Sequence, residues 1–191
     1  MKFGKRLICL LLSITMIVVS GCTNRNSNSR TITIIWPKYL INMMGYTAEQ
    51  QVELFQEGNE DNKYADSVYA NEEGTITFEM NGEQLQNCKE KFKNNVKKNI
   101  ETARKYEIEV DISDDYKEVS FKYSKTVLMD DFLSIYALVV SSVVALRMFQ
   151  GESPEDWHLK IKIINKDTDK IIKEGVAPDE EIRISPEDWE E

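Results

Sequence analysis

The sequence predicts an α+β domain: a mainly antiparallel sheet built of hairpins, with three helices packed on one face in two layers. Three observations carry this. Short segments place apolar residues at every second position, as in Ile32, Ile34 and Trp36 or Val119, Phe121 and Tyr123, which is the period of a half-buried strand. Between them run longer segments whose apolar residues return every three or four positions, the period of a helix. Turn sequences too short for a crossover join the strands in pairs, so neighbours run antiparallel.

The elements follow in chain order. Ile32, Ile34 and Trp36 mark the first strand. Thr47-Ala-Glu-Gln50 has the spacing of a capping box and opens a short helix through Val52 and Phe55 that stops near Gly58. A strand is expected over residues 64–69, then a turn at Asn71-Glu-Glu-Gly74, then Ile76, Phe78 and Met80 in alternation. Asn81 starts a long helix whose apolar face is Leu85, Cys88, Phe92, Val96, Ile100 and Ala103. Tyr106, Ile108, Val110 and Ile112 form a strand, Ser113-Asp-Asp115 turns it, and Val119, Phe121 and Tyr123 return. Asp130 and Asp131 open a third helix that closes at Gly151, since carboxylates suit a helix start and glycine its end. Leu159, Ile161 and Ile163 form a strand, Asp167-Thr-Asp169 turns into Ile171 and Ile172, and Ile182 and Ile184 make a last extended piece. The solvent face of the sheet would show Thr33, Thr77, Glu79, Glu107, Glu109, Ser120, Lys122, Lys160 and Lys162.

Ahead of this domain the chain reads differently. Lys2, Lys5 and Arg6 precede an apolar stretch over residues 7–19, long enough for a signal-peptide core and short of the roughly twenty residues that span a bilayer. Val-Ser-Gly-Cys at 19–22 resembles the lipobox of bacterial lipoproteins. The resemblance implies cleavage between Gly21 and Cys22 and diacylation of Cys22, and two acyl chains suffice for stable anchoring. Residues 23–30 hold no apolar side chain and read as a polar tether. The expected organisation is a signal peptide over 1–21, lipidated Cys22 and tether over 22–30, and a single α+β domain over 31–191. The protein would then sit on the extracytoplasmic face of a cell membrane, held there through Cys22.

The whole chain carries 24 Lys and Arg against 33 Asp and Glu. Loss of Lys2, Lys5 and Arg6 with the signal leaves 21 against 33, a net of −12, which disfavours nucleic acid as a partner. With Cys9 removed and Cys22 lipidated, Cys88 stands alone and no intrachain disulfide can form. It falls on the apolar face of the long helix, where a thiol acts as a small, inert hydrophobe. His158 is the single histidine. Phosphate-binding glycine loops, nucleophile elbows and calcium loops are missing. No catalytic, metal or cofactor residue is therefore assigned.

Three features remain. Residues 132–146 carry no charge. Their length, and the flanking Asp130, Asp131 and Arg147, predict a buried core helix in preference to a membrane span. Residues 89–105 hold seven Lys and Arg against Glu90 and Glu101, with Lys89, Lys93 and Lys97 on one side at steps of four. The first expectation is a solvated outer face. The second is contact with anionic lipid or anionic wall polymer. Ser-Pro-Glu-Asp-Trp occurs at 153–157 and again at 185–189. Serine before proline and two acids predicts a local turn. Trp157 and Trp189 carry the alternative, docking of an envelope protein.

The lipobox, a Thr-Ile-Thr-Ile strand straight after the tether and a hairpin ending Gly-Thr-Ile-Thr-Phe-Glu-Met resemble a group of small uncharacterised lipoproteins of Gram-positive anaerobes. A Lys-rich helix, an Asp-Asp turn before an alternating strand and an apolar third helix extend the likeness over nearly the whole chain. It implies a Gram-positive envelope and no particular activity. The resulting expectation is a non-catalytic binding or interaction module. The alternatives are an envelope hydrolase with paired carboxylates and a stress or immunity lipoprotein that sequesters a protein.

Overall fold

The structure is a computed structural model that describes residues 30–185 and Asp188. Gly21, Cys22 and Trp189 lie outside the described residues. The fold is α+β, as the periodicity predicts, but its hairpins gather into two sheets. The first sheet has the order β1-β3-β2, with β1 Ile32–Trp36, β2 Ser67–Ala70 and β3 Ile76–Met80, all antiparallel. Its register stacks Ile34, Phe78 and Val68 on the core side. Asn71 and Gly74 make the turn between β2 and β3; Gly74 stands at φ 79°, a conformation that glycine adopts without strain. Thr77, expected in solvent, is 5 % exposed, and its hydroxyl is satisfied there by accepting from the Asn71 side-chain amide at 3.0 Å.

Between β1 and β2 lie α1 Lys38–Met43 and α2 Ala48–Glu57. The capping box that opens α2 is formed by Thr47 and Gln50. Residues 38–43 had no predicted element. Pro37 and a six-residue length leave little pattern to read, and the helix holds because Leu40 and Ile41 are buried.

The second sheet has the order β4-β5-β6-β7, with β4 Glu109–Ile112, β5 Glu118–Tyr123, β6 Leu159–Asn165 and β7 Ile171–Ala177. Its hairpins β4/β5 and β6/β7 are antiparallel, while β5 and β6 are parallel. A parallel pair needs a long crossover, and α4 Met129–Phe149 supplies it. Alternation shows that each strand has one buried face but not which strands pair, so the division into two sheets was not predicted.

The two sheets share one core. Every residue from 139 to 149 is buried, as befits a helix apolar on all sides. α4 packs against α3 (Gly82–Lys105), α1 and β1. Its Phe149 meets Trp36, Phe78 and Phe92 at centroid distances of 5.2–6.0 Å. At its other end Phe132 stacks on Tyr123 at 4.2 Å and meets Phe121 edge-on. Among the described residues α4 is the one helix long and apolar enough to cross a membrane, and 72 % of that window is buried inside the protein. It is a core helix.

Trp157 requires a correction. It is 1 % exposed, with its ring 5.3 Å from that of Tyr39, so it offers no handle to a partner. The turn reading of the repeated segment is the one the geometry matches. In both copies the aspartate N–H donates to the serine carbonyl, Asp156 to Ser153 at 3.2 Å and Asp188 to Ser185 at 3.1 Å. The first copy delivers Trp157 into the core just ahead of β6.

Candidate anionic-surface contact on α3

The Asn81 side chain accepts from the N–H groups of Glu83 and Gln84 and so starts α3. The Gln84 amide then donates to the Asn62 carbonyl and to Asp66, fastening the first turn to the preceding loop. Further along, the Asn99 amide donates to Ser142 Oγ at 2.8 Å and to the Leu138 carbonyl at 3.0 Å. Cys88, Phe92, Val96 and Ala103 are buried. These contacts fix the rotation of the helix about its axis and therefore the direction of every lysine on it.

Lys89 is half-buried, and Lys93 and Lys97 are exposed on the same flank. Arg104, eleven residues beyond Lys93, returns to that flank at about 100° per residue. Arg104 and Lys105 occupy the last turn, where cations complement the helix dipole. Lys91 is different in kind. Its ammonium lies 4.1 Å from the Tyr64 ring centroid and 5.2 Å from that of Phe55, and burial lowers its pKa.

Electrostatic pairing separates this helix from the second sheet. Lys122 pairs with Asp169, Lys160 with Glu174, Lys162 with Glu118 and Lys166 with Glu109. Four lysines in and beside this sheet thus meet a carboxylate from a neighbouring segment, whereas Lys173 on β7 makes no ion pair among the described residues. On α3, Lys89, Lys93, Lys97, Lys98, Arg104 and Lys105 make no ion pair among the described residues. Seven cations and two carboxylates over residues 89–105 leave +5 there, in a chain that is otherwise acidic.

A groove of about 210 Å³ runs beside this flank, between α3 and the β4/β5 turn. Lys93 and Lys97 line one side, Val96 and Ile100 line the helix wall, and Ile112 and Tyr116 the turn wall; Ser113 and Asp114 complete the lining. The turn is held by Ser113 Oγ, which accepts from Lys117 N at 3.1 Å and Glu118 N at 2.9 Å. Asp115 accepts from the Ser113 hydroxyl and from the Lys117 N–H, which hold its carboxyl below the usual range. Tyr116 stands at φ 59°, an uncommon conformation for a bulky residue. Its ring packs against the margin of the core. The sequence placed the turn and the lysines. Nothing in it placed Ile112 and Tyr116 beside Ile100, because that contact joins two elements by tertiary packing.

The other predicted positions lie apart from this groove. His158 is exposed, with Nε2 3.1 Å from Asp179. A wider depression of about 510 Å³ at the start of α3 is lined by Glu60, Asp61, Asp66 and Glu83, but its Asn81 and Gln84 side chains are engaged in capping and loop contacts. Among the described residues, no group of three or more His, Cys, Asp or Glu side chains is placed to hold a metal. Comparison with protein-family models, with curated proteins and with solved structures finds no match.

Proposed function

We propose that this protein is a non-catalytic binding module, anchored through diacylated Cys22 on the extracytoplasmic face of a cell membrane, and that the Lys89, Lys93 and Lys97 flank of α3 contacts an anionic surface. The observation that carries the contact is the contrast in pairing. Lys122, Lys160, Lys162 and Lys166 are paired with carboxylates at the second sheet, while Lys89, Lys93 and Lys97 on α3 make no ion pair among the described residues, and Lys93 and Lys97 are exposed. The anchor rests on the sequence of residues 1–22. The tether is compatible with both parts of the reading. Eight residues reach at most about 28 Å, and Lys97 lies about 22 Å along α3 from its start at 1.5 Å per residue. Ile32 pairs with Met80, just ahead of that start, so the tether leaves the fold near one end of α3 and the helix can lie along the membrane.

The hydrolase alternative needs a carboxyl raised in a pocket to act as a proton donor. Among the described residues the resolved carboxyl shifts all run downward, at Glu49, Glu109, Asp115, Glu181 and Asp188. The binding reading therefore takes first place.

The test uses the mature polypeptide without lipid, mixed with vesicles of phosphatidylglycerol and phosphatidylcholine. Binding to the anionic vesicles, lost as salt rises and weakened by Lys89→Glu, Lys93→Glu and Lys97→Glu together, supports the contact. Absence of any salt-sensitive binding overturns it. In cells, Cys22→Ala should leave the chain uncleaved or free of the membrane fraction; a variant still processed and membrane-bound refutes the anchor.

A further inference from the structure

The geometry points to a specific role for the groove between α3 and the β4/β5 turn: it seats the head group of an anionic phospholipid, with Lys93 and Lys97 on the phosphate and Ile100 and Tyr116 against the first part of the acyl region. This rests on the membrane-surface reading above and goes beyond it, from a diffuse charged face to a built site. Lys93 and Lys97 are one helical turn apart, so their side chains start about 5–6 Å from each other and can both reach one phosphate. Neither has an ion-pair partner among the described residues. Beside them the lining is mixed, with Ile100, Ile112 and Tyr116 giving it an apolar part that a free inorganic anion would not need.

Size narrows the ligand. The groove holds about 210 Å³, below the roughly 300 Å³ at which pockets enclose a whole small molecule. It fits part of a ligand whose remainder stays in another phase, and a lipid in a bilayer is such a ligand. Tyr116 supplies a separate argument. Its left-handed conformation is the one that closes the β4/β5 turn, where its N–H donates to the Ser113 carbonyl at 2.9 Å. Here it keeps an amphipathic ring, apolar in body and polar at its tip, at the rim beside Ile100, a character suited to a membrane interface. Asp114, an exposed carboxylate on the same rim, opposes the anion. The prediction therefore depends on the two lysines outweighing it.

The experiment uses the full chain, produced with its lipid anchor and reconstituted in vesicles, carrying Asp114→Cys labelled with a nitroxide. Cys88 is fully buried and does not compete for the label. The accessibility of the nitroxide to oxygen and to a water-soluble nickel chelate reads its depth. In vesicles containing phosphatidylglycerol the label should enter the interface, and in purely zwitterionic vesicles it should remain in water although the chain is still anchored. Lys93→Ala with Lys97→Ala should lower the docked-to-free ratio about 25-fold, at about fivefold per lysine near an anionic surface. Lys98→Ala with Lys105→Ala removes the same charge about 80–140° around the helix from Lys93 and Lys97 and should leave the ratio unchanged. A label that stays in water on anionic vesicles overturns the groove proposal while leaving the anchor intact. Equal loss in both lysine pairs overturns it in favour of diffuse attraction. Displacement of the label by soluble poly(glycerol phosphate), without any lipid-dependent depth, overturns it in favour of wall polymer. A chain that does not fractionate with vesicles at all refutes the membrane reading itself.

Discussion

Replacing Trp157 by alanine tests whether the repeated Ser-Pro-Glu-Asp-Trp segment serves the fold or a partner. The indole is 1 % exposed and its ring lies 5.3 Å from that of Tyr39, at an interplanar angle of 56°. Its removal leaves a cavity between α1 and the start of β6 and deletes one aromatic pair. Large-to-small changes at buried Trp or Phe cost about 3–5 kcal/mol, of which such a ring pair accounts for about 0.5–1.5 kcal/mol. For a domain of this size each kcal/mol moves the melting midpoint by about 2–4 °C. Trp157→Ala should therefore lower Tm by about 6–20 °C, with a lower denaturant midpoint and an unchanged m-value, since the same surface is exposed on unfolding. Circular dichroism melts and guanidinium titrations of the purified protein read both quantities. A loss below about 1 kcal/mol would refute the structural role, because no fully buried indole in a packed core is that inexpensive to remove.

Arg147 is 3 % exposed and donates to the His158 carbonyl at 2.6 Å and to Glu152 at 2.5 Å. Arg147→Ala should destabilise the fold by about 3 kcal/mol in denaturant titration, near the low end for a broken buried pair because Glu152 still reaches water. At Gly175 an added Cβ would lie 2.8 Å from Glu180 Oε2 and 3.1 Å from Ile182. Gly175→Ala should dislodge the carboxylate that accepts from Val176 N, cost about 1 kcal/mol and speed hydrogen exchange over residues 176–184. Burial pushes the Cys88 thiol from an ordinary value near 9 up to about 12. The unfolded chain thus ionises first, and the stability the thiol contributes is intact below pH 9 and lost as pH rises from 9 toward 12, at about 1.4 kcal/mol per unit. The stability difference between wild type and Cys88→Ala should shrink over that range, and a constant difference would show that the thiol is not desolvated.

How far the sequence could be read depended on whether a feature is local. The Thr47 capping box, the helix start at Asn81, the Gly74 turn and the buried stripe of α3 all match, because each is set by residues a few positions apart. The apolar α4 was legible as a core helix for the same reason. The split into two sheets was not, since β5 pairs with β6 across the whole length of α4. Trp157 was misjudged as a possible handle because burial depends on Tyr39, more than a hundred residues away. At the candidate site, Lys89, Lys93 and Lys97 were visible as a stripe. Their unpaired state and the groove beside them were not, because both depend on which segments fold back near α3.

The distribution of ion pairs bears on why a net acidic chain keeps a basic helix. Exposed pairs such as Lys160 with Glu174 contribute little to stability, about 0–1 kcal/mol. Pairing the α3 lysines in the same way would therefore have added little to the fold, and the acidic domain has no structural need for a cluster of +5. Unpaired like charges on one helix repel, at a cost similar to the few tenths of a kcal/mol that opposite charges would gain. That cost is small enough to be carried for a use outside the fold. Over a negative membrane, acidity elsewhere on the surface becomes useful as well. In the proposed membrane setting it would repel the acidic faces of the domain and favour approach by α3, so that net charge and local charge would act together on orientation.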